Sequence, residues 1–299
     1  MSGINPKGLH LLLTYRCDSE CDHCFVWGGP RAKGTMSLAL IEEILNQGSE
    51  VDSVESIYFE GGEPFLYYPI LLEGVRQARS RGFDVGIVSN AYWATSEADA
   101  RMWLKPLADL GVSDLSISAD DLHGSEADAS HASIASKAGE ELGIPTAVLR
   151  VRTIESYCAG KCPGDDASDI YFRGRAAVNL APKVEGKSWE CHTSCPEEPP
   201  NMGRVHIDPE GKVQFCQGIA IGDMLKERLV SLFARFSPED DPVVGPLIRG
   251  GPVSLADEHS IQVEAKYVDA CHMCYDVRCK LRASGRLIES LVPDQAYGI

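Results

Sequence analysis

Three cysteines fall at Cys17, Cys21 and Cys24 in the stretch "TYRCDSECDHCF". Thiolates spaced C-x3-C-x2-C on a loop can hold three irons of a [4Fe-4S] cluster, and if no fourth protein ligand completes it, one iron keeps a position open for another molecule. The bland alternative is zinc completed by His23 or by a distant cysteine, although zinc knuckles favour a two-by-two spacing. The chain has 11 cysteines in all. The rest group as Cys158/Cys162, Cys191/Cys195, a lone Cys216 and Cys271/Cys274/Cys279, which reads as metal ligation rather than a disulfide framework.

The elements that position these residues follow from periodicity. "GLHLLLTYRC" reads as a short buried strand that delivers Cys17 at its C-terminal end, with His10 a packed strand residue, and "MSLALIEEILNQG" as the amphipathic helix that follows. "VESIYFEGGEP", "FDVGIVSNA", "VSDLSISADD", "IPTAVLRVRTIES" and "ASDIYFRGRAAV" read as five further strands, and helical segments separate most of them. Strands alternating with helices indicate parallel βαβ units, and six in succession predict a curved sheet or partial barrel. Chemistry in such sheets collects at the C-terminal strand ends. Here those ends are polar or glycine-bearing.

Past about residue 180 the pattern changes to loops, a hairpin over "GRVHIDPEGKVQFC" and short helical pieces. The expected organisation is an α/β partial (β/α)6 TIM-like barrel over 1–182 and a small cysteine-rich α+β domain over 183–299.

Cys17-x3-Cys21-x2-Cys24 after the first strand, with "GGEP" (Gly61 to Pro64) after the second, resembles the radical S-adenosylmethionine (SAM) superfamily. The resemblance covers residues 9 to about 180. It implies that the open iron of a [4Fe-4S] cluster binds the amino and carboxylate groups of SAM. One electron then cleaves SAM to methionine and a 5′-deoxyadenosyl radical, which abstracts a substrate hydrogen. It further implies that Gly61 and Gly62 let the backbone approach a ligand, that Glu63 accepts from the methionine amino group, and that His23 lies near the adenine. Ser89, Asn90 and Ser118 take positions where relatives contact ribose and carboxylate, with Asp120 a further ribose candidate; as single residues these are equally turn formers or helix caps. Arg150 and Arg152 alternate with Leu149 and Val151, so they share a strand face and either clamp a carboxylate inside the barrel or face solvent. Cys158 and Cys162 are candidate hydrogen donors to a substrate radical, or solvent-side loop thiols.

Cys195, Gly211 and Cys216, followed by Cys271, Cys274 and Cys279, resemble the twitch and SPASM extensions of the same superfamily, which carry auxiliary iron-sulfur clusters. The cysteines expected past Cys279 in a full SPASM pattern are absent, so one auxiliary cluster is the better fit. Its expected ligands are Cys195, Cys216, Cys271 and Cys274, with Cys191 and Cys279 as alternates; a zinc ribbon using His192 or His272 is the alternative.

A formal net charge of -16, from 28 basic against 44 acidic residues, argues against nucleic acid or an anionic membrane as partner. No signal-peptide pattern opens the chain and the apolar run Leu9–Leu13 is too short to span a bilayer, so a cytoplasmic location is expected. The implied function is hydrogen abstraction ending in oxidation or epimerisation of a small molecule such as a sugar or aminocyclitol, served by a flavodoxin- or ferredoxin-type electron donor. Modification of a ribosomal peptide or protein side chain is the second reading, weakened because the first strand starts too near residue 1 for a leader-binding domain. An iron-sulfur electron carrier is the reading of another class, and "GGEP" speaks against it.

Overall fold

The structure, a computed structural model, describes residues 3–119, 126–158 and 168–299. In β1 (Gly8–Thr14), Leu9, Leu11 and Leu13 are fully buried on one side of the strand. The alternate residues His10, Leu12 and Thr14 face the other side, as a period of two demands. The chain continues through α1 (Leu38–Gly48), β2 (Ser56–Gly61), α2 (Tyr68–Ser80), β3 (Asp84–Ser89), α3 (Glu97–Asp109), β4 (Asp114–Ser118), α4 (Glu126–Glu141) and β5 (Thr146–Leu149). Ser37 caps α1 by accepting from the Leu40 N–H at 3.1 Å, and Ser96 caps α3 by accepting from Asp99 at 3.1 Å. Ile41, Ile44 and Leu45 of α1, Leu71 and Val75 of α2 and Leu104 of α3 bury in the same core as Leu9 and Leu11, which seats the helices on one face of the sheet.

The second part holds α5 (Ile154–Cys158), α6 (Arg175–Asn179), β6 (Lys187–Ser188), β7 (Arg204–Ile207), β8 (Lys212–Cys216), β9 (Ile219–Asp223), α7 (Leu229–Arg235), α8 (Val244–Glu258), β10 (Lys266–Tyr267) and α9 (Ala270–Ala283). The main sheet runs β5-β4-β3-β2-β1-β7-β8-β9, and β6 pairs with β10 apart from it. Strands β1 to β5 are parallel in chain order, β7 lies parallel to β1 on its free edge, and β8 and β9 close the sheet antiparallel. Its edges, β5 and β9, are not joined to each other among the described residues.

Two features differ from the sequence reading. The expected sixth strand in "ASDIYFRGRAAV" is reduced, among its described residues, to an isolated parallel bridge between Ser168 and Val151. Beyond it the Phe172 N–H donates to the Asp269 carboxylate at 3.1 Å, and Ile170 and Phe172 bury with Ala176 and Leu180 in a small core of their own. The sheet also crosses the expected boundary near residue 183. The free edge of β1 would otherwise present unpaired N–H and C=O groups, and β7 satisfies them while Val205 and Ile207 enter the core of the first part.

The end of β2 meets the start of the cysteine loop at unusually close range. Gly62 N–H donates to Thr14 O at 2.6 Å and Glu63 N–H to Arg16 O at 2.8 Å. Gly61 has φ +132°, and a Cβ on Gly62 would stand 2.1 Å from Arg16 O. The glycines are therefore required by the close approach of the cysteine loop's own backbone. Gly62→Ala is expected to cost about 3 kcal/mol or more in urea unfolding. Gly203→Ala, at an exposed glycine whose Cβ would meet nothing nearer than 4.0 Å, should stay within about 0.5 kcal/mol of the parent chain.

Candidate functional site

At the C-terminal ends of β1 to β4 a recess with a cavity volume of about 120 Å³ brings together Cys17, Cys21, His23, Cys24, Gly61, Gly62, Ser89, Asn90 and Ser118. Every one of these was singled out from the sequence. Gly28 N–H donates to Cys24 Sγ at 3.2 Å, and Asn90 Nδ2 lies 3.8 Å from Cys17 Sγ while donating to Asp18 at 2.8 Å. Burial pushes the Cys17 thiol well above its ordinary range, with the charges of Glu63 and Asp18 adding to the shift. A buried thiol in that setting ionises readily only when a cation supplies the opposing charge, so this donor set suits an iron cluster or another metal. Three cysteines with His23 are the described lining groups able to ligate soft metal.

Side chains behind the recess hold its wall in place. Glu63 is fully buried and does not line the recess, which corrects the role expected for it. Its carboxyl accepts from Phe65 N–H and Ser89 Oγ, both at 3.0 Å, and from Asn90 N–H at 2.8 Å. It thus ties the β2 turn to the end of β3, and burial pushes its pKa up to about 7. Arg175 ends the "FRGR" stretch (Phe172 to Arg175), which is similar to the family's Gly-Arg-containing strand end and to which the sequence assigned no role. Its guanidinium donates to Cys21 O and Gly28 O, each at 2.8 Å, and its N–H to Cys24 O at 2.9 Å. Gly174, with φ +59°, permits this docking because a Cβ there would lie 2.7 Å from Cys24 O.

Other expected residues lie elsewhere. Strand β5 ends at Leu149, so Arg150 and Arg152 fall beyond it and neither lines the recess. Arg150 is exposed; Arg152 pairs with Asp169 and stacks 4.4 Å over the Tyr157 ring. Cys158 is exposed at the end of α5 and does not line the recess. Cys162 and Asp120 lie outside the described residues.

A second recess, with a cavity volume of about 20 Å³, is lined by Cys195, Cys216, Cys271 and Cys274 together with Arg173 and Arg278. Cys271, Cys274 and Arg278 share one face of α9 because they stand at i, i+3 and i+7, and Cys279, one position further round, falls off that face. Neither Cys279 nor Cys191 lines the recess. Asp269 sets the start of this helix by accepting from His272 N–H at 2.7 Å. The histidines of the zinc alternative are turned to the backbone: His192 Nε2 lies 3.1 Å from Tyr267 O, and His272 Nδ1 accepts from Val268 N–H at 3.2 Å. Burial raises the Cys195 thiol to about 12 and the Cys271 thiol far above its usual value, with neighbouring thiols contributing in the same direction. Two buried cations face them. Arg173 donates to Cys216 Sγ at 2.9 Å and to Glu197 at 2.7 Å, and Arg278 is held by Gln217 O and the Tyr297 hydroxyl. An iron-sulfur cluster on four thiolates carries net negative charge, which buried Arg278 and the Glu197-paired Arg173 would offset.

Comparison with known proteins agrees with this geometry. Residues 11–128 match the model of the Radical SAM superfamily. YydG of Bacillus subtilis (strain 168), whose name refers to peptide biosynthesis, is 28% identical over 117 residues, 39% of this chain and 37% of its own. The tungsten-containing aldehyde ferredoxin oxidoreductase cofactor-modifying protein of Pyrococcus furiosus is 36% identical over 107 residues, 36% of this chain and 28% of its own. The matched stretch thus spans about a third of each relative. Among solved structures, native anSMEcpe with bound AdoMet superposes with a TM-score of 0.55 over 91% of this chain and 95% of that one, at 13% identity. The shared fold is the α/β partial barrel, here left open.

Arg175→Ala removes both guanidinium bonds from the cysteine-loop carbonyls. An expected loss of about 3 kcal/mol in unfolding free energy should accompany a fall in iron retained at the three-cysteine loop, read by iron and sulfide analysis after anaerobic reconstitution.

Proposed function

We propose that this chain, whose residues 11–128 match the Radical SAM superfamily model, is an enzyme that abstracts a hydrogen atom from its substrate. The observation that carries this reading is the single recess in which Cys17, Cys21 and Cys24 face Gly62, Ser89, Asn90 and Ser118 across the strand ends. A [4Fe-4S] cluster held there with SAM supplies a 5′-deoxyadenosyl radical. Cys17, Cys21 and Cys24 would ligate three irons, and His23, Ser89, Asn90 and Ser118 offer polar contacts around the SAM position. Arg175 and the Glu63 bracket keep loop and strand ends from shifting, which matters because reacting groups must stay within a few tenths of an ångström of their productive positions.

The second recess supports oxidation as the outcome. Four cysteines with two buried arginines suit an auxiliary cluster, which would accept the electron left on the substrate after hydrogen loss. Cys195, Cys216, Cys271 and Cys274 are the proposed ligands, in the C-terminal part of the chain whose β7 to β9 continue the main sheet. A small molecule that fits the open barrel is the first substrate reading. Peptide modification is the second, supported by the name of YydG.

Anaerobically reconstituted protein, reduced with dithionite, should convert SAM to 5′-deoxyadenosine, seen by chromatography, and Cys21→Ala should abolish it. No product with dithionite or with titanium(III) citrate would return an electron carrier to first place. Iron analysis should give about eight irons per chain, falling to about four in the Cys271→Ala/Cys274→Ala variant. About four irons with stoichiometric zinc in the parent chain would remove the auxiliary cluster.

A further inference from the structure

His10, read from the sequence as a packed strand residue, has two chemically matched neighbours in the fold. In the parallel register His10 stands beside His206 of β7 on one side and Tyr58 of β2 on the other, with Glu60 one step further along β2 on the same face. The side chains are 16%, 15% and 6% exposed for His10, Glu60 and His206. His10 Nδ1 lies 3.4 Å from Glu60 Oε2 and His206 Nε2 3.1 Å from Glu60 Oε1. One ligand atom from each residue falls within 4.8 Å of the others.

Donor atoms bound to one cation at about 2.1 Å stand about 3.0–3.5 Å apart when their bond angles are near 90–110°. The two histidine-to-carboxylate distances, one to each oxygen of Glu60, fall in that range. Two imidazoles and one carboxylate on three adjacent strands form the donor set that leaves one face of a six-coordinate metal open. Among the described residues no lysine or arginine is paired with Glu60. Tyr58 stacks on the His10 ring at 4.6 Å and orients it; Gln217 Nε2 lies 3.2 Å from His206 Nε2, a contact this nitrogen exchanges for the cation on binding.

The geometry points to a binding site for one first-row divalent metal cation at His10, Glu60 and His206, separate from both cysteine sets. Glu60 also lines the cysteine recess, so a cation here abuts the space where substrate chemistry is proposed.

The test uses Mn²⁺, which prefers oxygen and nitrogen donors to thiolates. Reconstituted, desalted holoprotein with oxidised clusters is titrated while electron paramagnetic resonance reads free Mn²⁺. One Mn²⁺ should bind per chain, and equimolar Zn²⁺ should displace it, as the order of divalent affinities requires. His206→Gln and His10→Gln should each weaken binding by about 10- to 100-fold with cluster iron and sulfide unchanged. His10→Gln keeps the test decisive if His206→Gln fails to fold, because His10 lies outside the Gln217 contact. Absence of stoichiometric binding, or binding in His10→Gln equal to the parent, overturns the proposal.

Discussion

The close approach of two backbone segments, β2 at Gly61–Gly62 and the cysteine loop at Thr14–Arg16, governs the arrangement of the site. A side chain at Gly62 would drive the loop away from the sheet, and Cys17, Cys21 and Cys24 would no longer face the ends of β3 and β4. Everything else at the rim secures that contact. Glu63 bolts the turn to Ser89 and Asn90, and Arg175 reaches across from α6 to hold two loop carbonyls. A loop that carries the reactive centre thus gains the rigidity that loops ordinarily lack.

Charge is handled differently in the two cysteine recesses. The first is broad, reaches to polar strand ends and has three cysteines, a set suited to a cluster that must still bind another molecule. In the second, smaller recess four cysteines meet two buried arginines, a set suited to a cluster that exchanges only electrons. Both belong to one sheet, because β7 pairs with β1 and carries β8, with Cys216 at its end, alongside the barrel strands.

Much of this was legible in the sequence, for identifiable reasons. Local spacing exposes a ligand loop, a glycine turn and a helix face, so Cys17/Cys21/Cys24, Gly61/Gly62 and the Cys271/Cys274 pair are readable from the order of residues alone. Polar residues at strand ends converge by topology, which is why Ser89, Asn90 and Ser118 line one recess. What failed were features fixed by distant partners. The apolar "DIYF" stretch looked like a strand, but Asp269, 97 residues from Phe172 along the chain, takes its backbone donor. Glu63 looked like a ligand contact and is a bracket, since its partners come from β3. His10 meets His206 only because β7 returns to the free edge of β1, a pairing that no local pattern announces.

The central claim is that the three-cysteine loop holds a cluster whose remaining iron binds SAM. It is tested most directly by electron-nuclear double resonance on the reduced Cys271→Ala/Cys274→Ala variant, mixed with SAM labelled with ¹⁵N at its amino group. The account predicts a hyperfine coupling between the cluster spin and that nitrogen, lost when unlabelled SAM replaces it. A reduced cluster at full iron content that shows no coupling to the label would contradict it.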